Sequence, residues 1–156
     1  MNSVLAAIDF SPVSSKVVQT AVELARATGS KVVLLHVVQP LMIAPDLAPL
    51  LGEALQLTAE VERGARCHLR DVQKSLARRG ETVETVCCQG SSVAQIISQA
   101  KELDARYLVL GSHGHTAFYD LVAGSTTSGV LKRSPCTVVV VPTAAKKRQG
   151  RKTRRK

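Results

Sequence analysis

The stretch Ser3-Val4-Leu5-Ala6-Ala7-Ile8-Asp9-Phe10-Ser11-Pro12 contains the transition that decides the fold. Residues 3–9 form a short, mostly apolar run that stops at an acid, which is typical of a buried strand whose carboxyl end reaches solvent. Ser11 and Pro12 follow at once, and a serine cap with a proline in the first turn indicates the start of a helix. A strand that leads directly into a helix predicts a βα unit, from which parallel α/β sheets are built.

The same unit repeats along the rest of the chain. Apolar or alternating runs predict four further strands, at 32–38, 82–88, 107–110 and 136–141. Apolar residues at helical spacing predict helices over 13–28, 53–79, 92–100 and 125–133. Gly29 and Gly80 would end the first two helices, and Ser92-x-x-Gln95 has the form of a capping box. The segment 39–51 holds three prolines and no clear period, so we expect a loop there.

Alternating strands and helices predict an open parallel five-stranded sheet with helices on both faces. Right-handed crossovers, with the most apolar strands in the centre, favour the strand order 3-2-1-4-5, and 82–88 suits an edge. In this order the chain reverses direction between the first and fourth strands, and a ligand crevice opens at their carboxyl ends. Asp9 and Gly111 follow those two strands, so we expect both residues at the crevice.

The net charge of +9 is concentrated at one end of the chain. Eight of the 21 Lys and Arg residues lie in 146–156 together with no acid, so residues 1–145 carry a net charge of only +1. This excludes a domain that is basic over its whole surface. We predict one domain over 1–143 and a disordered basic tail over 144–156, because dense like charge with few apolar residues cannot form a core. The tail is either a solvated end or the site of a weak, nonspecific polyanion contact.

Several protein classes do not fit the sequence. It has no run of 18 apolar residues and no export signal at its start, so we expect a cytoplasmic protein without membrane contact. The four cysteines form no C-x-x-C pair, and the adjacent Cys87 and Cys88 would point to opposite faces of a strand, which argues against disulfides and structural zinc. The two histidines His113 and His115 have no further ligand at metal spacing, and His36 is expected to be a hydrogen-bonded core residue.

The segment after the fourth strand has the features of a phosphate-binding loop. Gly111-Ser112-His113-Gly114 is followed, after nine intervening residues, by Gly124-Ser125, which gives the pattern G-x-x-G-x9-G-S. Gly111 and Gly114 would let the backbone approach a phosphate closely, because no Cβ stands in the way. Ser125, Thr126 and Thr127 begin a helix whose free N–H groups and dipole favour an anion. Three or four such donors could hold a nucleotide with a Kd of roughly micromolar order, without a lysine.

The glycine spacing, with the preceding Tyr-Leu-Val-Leu-Gly-Ser-His-Gly, the opening Ala-Ala-Ile-Asp-Phe-Ser and the strand Leu-Leu-His-Val, resembles the ATP-binding branch of the universal stress protein family. The resemblance runs from about Val4 to Pro142. It implies a flavodoxin-like or Rossmann-like α/β fold, related to the adenine nucleotide alpha hydrolases. It also implies a homodimer that binds ATP or a related adenine nucleotide (ADP or AMP), with or without Mg²⁺, and that acts in stress regulation more than in catalysis.

The resemblance also implies roles for particular residues. Asp9 would contact the ribose or adenine side of the nucleotide, and the backbone of Val37 would read the adenine edge. The phosphate and ribose loop would comprise the following residues: Gly111, His113, Gly114, Gly124, Ser125, Thr126 and Thr127. Two positions depart from the family pattern, since an acid after the second strand is replaced by Gln39-Pro40 and a basic residue after the second glycine is replaced by His115.

Two hypotheses of different class stay open at this point. Catalytic motifs such as G-x-S-x-G, H-E-x-x-H and the P-loop are missing, so we expect a binding protein with at most slow, incidental ATP hydrolysis. The alternative is a stress or interaction protein of the same fold that binds no nucleotide and works through its dimer surface and basic tail. Val138–Val141 would lie at an exposed sheet edge, and we predict that a homodimer forms through this strand.

Overall fold

A computed structural model of the chain describes residues 2–41, 44–112 and 124–143. Strands and α-helices alternate through this part of the chain, as β1 Ser3–Ala7, α1 Ser14–Thr28, β2 Lys31–Val38, α2 Leu51–Ala77, β3 Val83–Gln89, α3 Ser92–Glu102, β4 Ala105–Gly111, α4 Ser125–Leu131 and β5 Thr137–Val141. No helix in these ranges is both long enough and apolar enough to cross a lipid bilayer.

The strands form one parallel sheet with the order β3-β2-β1-β4-β5. The predicted fold class and strand order are therefore confirmed, and β3 is an edge strand as expected. Ala7, the last residue of β1, lies opposite Leu35 of β2 on one side and opposite Leu110 of β4 on the other. The carboxyl ends of β1, β2 and β4 consequently meet at one place, where the connections leave the sheet in different directions.

Side chains alternate across the sheet and build a core on each face. Val4 and Ala6 pack with α1 and α2 in one cluster, whereas Leu5 packs with α3 and α4 in the other. Cys87 and Cys88 follow the same alternation, because each lies against a different cluster. The interior strands β1, β2 and β4 have core residues on both faces, which explains why their sequences are continuous apolar runs.

The helix ends differ from the sequence expectations in detail. Gly29 has φ +62° and ends α1 as predicted, and Gly80 has φ +78° in the turn after α2. The capping box at Ser92 and Gln95 is wrong, because the N-cap of α3 is Ser91 and it makes no side-chain cap bond. The Ser92 hydroxyl instead accepts a hydrogen bond of 2.9 Å from the Gln39 amide, so a tertiary contact replaces the local one.

The predicted loop over 39–51 and the start of α1 also need correction. Residues Pro45–Leu50 form a 3-10 helix that runs directly into α2, with Pro49 inside it. α1 begins at Ser14 with Val13 as its N-cap, two residues later than the serine cap at Ser11 predicts. The hydrogen bond from the Ser14 N–H to the Ser11 carbonyl, 2.9 Å, makes a turn before the helix starts.

The edge strand β3 is covered by side chains of α2. The Gln73 side-chain amide donates to the Val83 carbonyl at 2.7 Å, and Arg66 donates to the Cys87 carbonyl at 3.3 Å. Arg66 also forms an ion pair with Glu62, and its hydrogen bond holds the pKa of the Glu62 carboxyl below its usual range. Two backbone acceptors of this edge are thereby occupied from within the chain.

Candidate functional site

A cleft of about 400 Å³ opens where the strand order reverses, and we call it the switch-point cleft. Pockets that bind small molecules have volumes of roughly 300–1,000 Å³, so its size fits a ligand of that class. Its walls come from the ends of β1, β2 and β4 and from the starts of α1, α3 and α4. The lining comprises Ala7, Ile8, Asp9, Val13, Ser14, Val17, Leu35, His36, Val37, Gln39, Ser92, Ile96, Leu110, Gly111, Gly124, Ser125, Thr126 and Thr127.

Seven of the nine predicted site residues line this cleft together, namely Asp9, Val37, Gly111, Gly124, Ser125, Thr126 and Thr127. They come from positions separated by more than 100 residues along the chain, and the parallel sheet brings them to one edge. The remaining two, His113 and Gly114, lie outside the described residues. The roles of all nine in binding stay predictions.

Hydrogen bonds hold Gly111 and Gly124, the two described glycines of the predicted phosphate loop, near each other. The Gly124 N–H donates to the Ser112 carbonyl at 2.8 Å, so the chain returns to the point from which it left β4. The buried Thr127 hydroxyl donates to the Gly111 carbonyl at 2.8 Å. Gly124 is the N-cap of α4 and has extended backbone angles. The N–H groups in the first turn of α4 have no acceptor within the helix, and the residues of this turn line the cleft.

Ser112 joins this loop to the end of β5. Its N–H donates to the Val141 carbonyl at 2.8 Å, and its hydroxyl accepts a bond of 3.0 Å from the Thr143 N–H. The two hydroxyls of Ser112 and Thr143 are 3.3 Å apart. The last described residues of the chain are therefore fastened next to Gly111, at the rim of the switch-point cleft.

Asp9 has a structural task as well as a place in the cleft. Its Oδ1 accepts hydrogen bonds of 3.0 Å from both the Ser11 N–H and the Ser14 hydroxyl. The intervening Phe10 has φ +60°, a left-handed conformation that a bulky residue adopts at a cost of about 1–3 kcal/mol. The carboxylate thus secures the sharp connection between β1 and α1 and so determines where the first wall of the cleft stands.

The main chain of Val37 points into the cleft. The Ile8 N–H donates to the Leu35 carbonyl at 2.9 Å, so the peptide groups of Leu35 face β1. Peptide groups two residues apart on a strand face the same way, and those of Val37 therefore also face the β1 side. The β1 ladder ends at the Ala7–Leu35 pair. Val37 thus presents a donor and an acceptor just beyond the end of its neighbouring strand.

The structure adds lining residues that the sequence analysis did not include in the site. Gln39 and Ser92 bridge the ends of β2 and α3 through their 2.9 Å hydrogen bond. His36 is held by a 2.8 Å hydrogen bond between its Nδ1 and the Ile8 carbonyl, and Phe10 stacks on its ring at a centroid distance of 4.4 Å. The expectation that His36 is hydrogen-bonded is confirmed, but its place in the core is wrong, because the residue is only half-buried and lines the cleft. Gln39 could have been found from the sequence, because it directly follows a strand whose carboxyl end borders the crevice.

The described lining carries little charge. Asp9 is its one acid, and no lysine or arginine is among the residues that form these walls. The sequence also has no lysine or arginine between 107 and 131, a range that includes the residues between Gly111 and Gly124. Within the described residues, the groups that could hold an anion in the switch-point cleft are therefore hydrogen-bond donors and not cationic side chains.

The chain is similar to known proteins in both sequence and structure. Residues 1–142 match the universal stress protein family. Universal stress protein YxiE from Bacillus subtilis is 27% identical over 147 residues, covering 90% of this chain and 98% of that protein. The structure of universal stress protein UspA from Lactobacillus plantarum superposes with a TM-score of 0.76 at 27% identity, covering 90% of this chain and 97% of that one.

A universal stress protein solved in complex with cAMP has a TM-score of 0.63 at 23% identity, and the match covers 92% of this chain and 98% of that one. The family match spans every strand and helix of the fold, including the segments that build the switch-point cleft. The chain belongs to the universal stress protein family.

Proposed function

We propose that this chain binds ATP, or the related nucleotides ADP and AMP, in the switch-point cleft, and that it acts as a regulatory binding module. The observation that carries the proposal is the convergence of seven predicted site residues on one cleft of suitable size. The family relationship supports it, since one structural relative was solved with cAMP, which is itself an adenine nucleotide.

The β2 side of the cleft suits the adenine ring. Ala7 and Val37, at the ends of β1 and β2, are half-buried apolar residues of the lining and would contact a flat ring. The donor and acceptor of the Val37 main chain would meet the ring edge, where an adenine offers a matching acceptor and amino group. Asp9, between this side and the phosphate side, would accept a hydrogen bond from a ribose hydroxyl.

The β4 side of the cleft suits the phosphates. The backbone at Gly111 and Gly124 carries no side chain, and the first turn of α4 adds N–H donors and the hydroxyls of Ser125 and Thr126. Mg²⁺ could accompany the phosphates, held mainly by their own oxygens and by water. We propose binding without fast turnover, because the one carboxylate of the described lining, Asp9, already accepts two hydrogen bonds.

We further propose that two copies pair through β5. Of the two edge strands, β3 has backbone carbonyls occupied by Gln73 and Arg66, whereas β5 carries the apolar run Val138–Val141. An apolar edge strand attracts an identical strand across a two-fold axis. The asymmetry between the edges favours β5 as the surface for a second copy.

The substitution Gly124→Asp tests nucleotide binding without disturbing the fold. Gly124 is an N-cap with φ −64°, and aspartate is a preferred N-cap residue, so the variant should be at least as stable as the parent. Its carboxylate would stand where we place the phosphates and would repel them. Gly124→Asn is the matched control, since it has nearly the same shape and no charge.

We expect ATP to bind the parent with a Kd of roughly micromolar order and to raise the free energy of unfolding by about 2.7 kcal/mol at a hundredfold excess over Kd. Calorimetric titration should show binding to Gly124→Asn and none to Gly124→Asp. Absence of ATP, ADP and AMP binding to the parent would refute the proposal and favour an interaction protein without a nucleotide. Equal binding by both variants would refute the placement of the phosphates.

A further inference from the structure

We infer that the first half of α2 carries a docking surface for another protein, and that the partner presents a basic amphipathic helix. The surface, which we call the α2 stripe, consists of Leu50, Leu57 and Val61. α2 packs beside β3, at the opposite end of the sheet from β5, so the stripe is distinct from the strand through which two copies would pair. The inference does not depend on nucleotide binding.

The first half of α2 extends beyond the sheet. Arg66 bonds the Cys87 carbonyl and Gln73 bonds the Val83 carbonyl, so the helix runs antiparallel to β3. The side chain of Gln89, the last residue of β3, donates to the Glu62 carboxylate, which lies near the level where the strand ends. Residues 51–61 precede this level, and at 1.5 Å per residue they rise about 16 Å past it. Only one of these residues, Thr58, is buried, so the sheet no longer covers the helix there.

Large apolar side chains are concentrated in this half of the helix. Seven large apolar residues are exposed in the part of the chain that the structure describes, and five of them lie in 50–61. Leu50, Leu57 and Val61 are 46%, 50% and 52% exposed. They recur at spacings of seven and four residues, which places them on one side of the helix. Single exposed apolar residues are normal on a protein surface, but a contiguous group of this kind marks a site of interaction.

The charges beside the stripe indicate a basic partner. Between Lys31 and Arg63 the sequence has four acids and no lysine or arginine, although the net charge of the chain is +9. Leu57 lies four residues after Glu53 and three before Glu60, so both carboxylates border it on the helix surface. Glu53 forms no ion pair with any described residue, and Glu60 has a 3.8 Å contact to the exposed Arg63. The helix dipole favours an acid at Glu53, in the first turn, but it does not account for Glu60.

The same carboxylates disfavour two other occupants of the stripe. Two copies of it, packed across a two-fold axis, would bring the acids of both chains together, and like charges at an interface are unfavourable. An anionic membrane surface would repel them as well. A partner helix with apolar residues every three or four positions and with lysines or arginines beside them complements both the leucines and the acids.

The test uses a synthetic helical peptide of about 18 residues, made of Leu, Ala and Lys, with its leucines on one side and lysines on both flanks. The control peptide has Glu in place of every Lys. Fluorescence anisotropy of labelled peptides should show that the parent binds the lysine peptide at least tenfold more tightly than the glutamate peptide.

The apolar contribution is tested by a double variant, Leu57→Gln with Val61→Gln. Both positions are exposed, and Gln suits a helix as well as Leu does and better than Val, so the variant should fold. It should bind the lysine peptide at least tenfold more weakly than the parent, because it removes the centre of the contact. Leu131→Gln is the matched control, since Leu131 has the same 50% exposure as Leu57 but lies on α4, and its affinity should equal that of the parent.

The charge contribution is tested by a second double variant, Glu53→Gln with Glu60→Gln. It keeps the leucines and should bind the lysine peptide about fivefold more weakly than the parent, because two exposed ion pairs are lost. In 0.5 M NaCl the parent and this variant should bind alike, since salt screens exposed charges.

Four results would overturn the inference. The first is failure of the parent to bind the lysine peptide, and the second is equal binding of that peptide by the parent and by Leu57→Gln with Val61→Gln. The third is flotation of the parent, but not of that variant, with vesicles of phosphatidylcholine and phosphatidylglycerol, which would assign the stripe to a membrane. The fourth is a smaller assembly of that variant in sedimentation, which would assign the stripe to a second copy. All four are measured without nucleotide, so they leave the proposed function to its own test.

Discussion

The same Gly→Ala change should have opposite effects on stability in two helices. Gly64 lies in the exposed middle of α2, and a Cβ added there would meet no atom within 4 Å. Alanine in a helix interior is favoured over glycine by about 0.5–1 kcal/mol, so Gly64→Ala should raise the free energy of unfolding by that amount. For a chain of this size the midpoint of thermal unfolding should rise by roughly 1–4 °C.

At Gly129 in α4 the same gain in helix propensity is outweighed by a clash. A Cβ there would lie 2.8 Å from Val93 Cγ2 and 3.3 Å from Cγ1, whereas carbon atoms pack best at about 3.5–4.0 Å. Val93 is β-branched and stiff within α3, so either the side chain or the helix must shift. Overpacking of this kind costs about 1–3 kcal/mol, which leaves Gly129→Ala less stable than the parent by about 0.5–2 kcal/mol.

Urea denaturation followed by circular dichroism would measure both variants. Val93→Ala in the Gly129→Ala background should recover stability relative to the sum of the single changes, since it removes the methyl groups that clash. If Gly129→Ala were as stabilising as Gly64→Ala, α3 and α4 would not pack at this distance. The reasoning about how α4 is held at the switch-point cleft would then be wrong.

Three further predictions concern the cleft, the sheet edge and the thiols. Asp9→Ala removes two hydrogen bonds to a carboxylate and should cost about 1–3 kcal/mol in urea denaturation. The Asn side chain of Asp9→Asn can still accept both hydrogen bonds, so the free energy of unfolding of this variant should lie within about 1 kcal/mol of the parent value. Calorimetry should show that this variant binds ATP roughly tenfold more weakly. Equal stability of Asp9→Ala and the parent would contradict the structural role of the carboxylate. Val140→Arg should give a single chain in sedimentation at micromolar concentration, where an unchanged dimer would exclude pairing through β5. Burial raises the pKa of the Cys87 and Cys88 thiols, so a smaller fraction of these two thiols is ionised at pH 7.5. Iodoacetamide should therefore modify the exposed Cys67 several-fold faster than Cys87 and Cys88, which mass spectrometry of the modified protein would measure.

The sequence predicted the architecture because its signals were local and strong. The run 32–38 could only be a strand buried on both faces, and a βα repeat with right-handed crossovers leaves few arrangements. The helix starts were less predictable, because tertiary partners compete with local caps. Ser92 illustrates this, since its hydroxyl bonds Gln39 from the end of β2 and the cap position moves to Ser91. The 3-10 helix over Pro45–Leu50 was missed because prolines signal loops and short helices alike.

The site was predictable where it follows from topology and from glycine spacing. Asp9, Gly111 and Gly124 are brought together because parallel strands end at one edge, and the family pattern placed Val37 with them. Side-chain bridges across elements could not be predicted in this way. The pairing of Gln39 with Ser92 joins residues 53 positions apart, and no sequence pattern records which polar residues face each other at that distance.

The difference between the edge strands β3 and β5 limits how many chains can join into one assembly. With the Val83 and Cys87 carbonyls occupied by α2, the β3 side gives an incoming strand an incomplete row of acceptors. An assembly that begins at β5 would produce a ten-stranded layer whose two outer borders are both β3. Such a layer is closed by its own symmetry, so raising the protein concentration should fill pairs and then stop, without higher polymers or fibres.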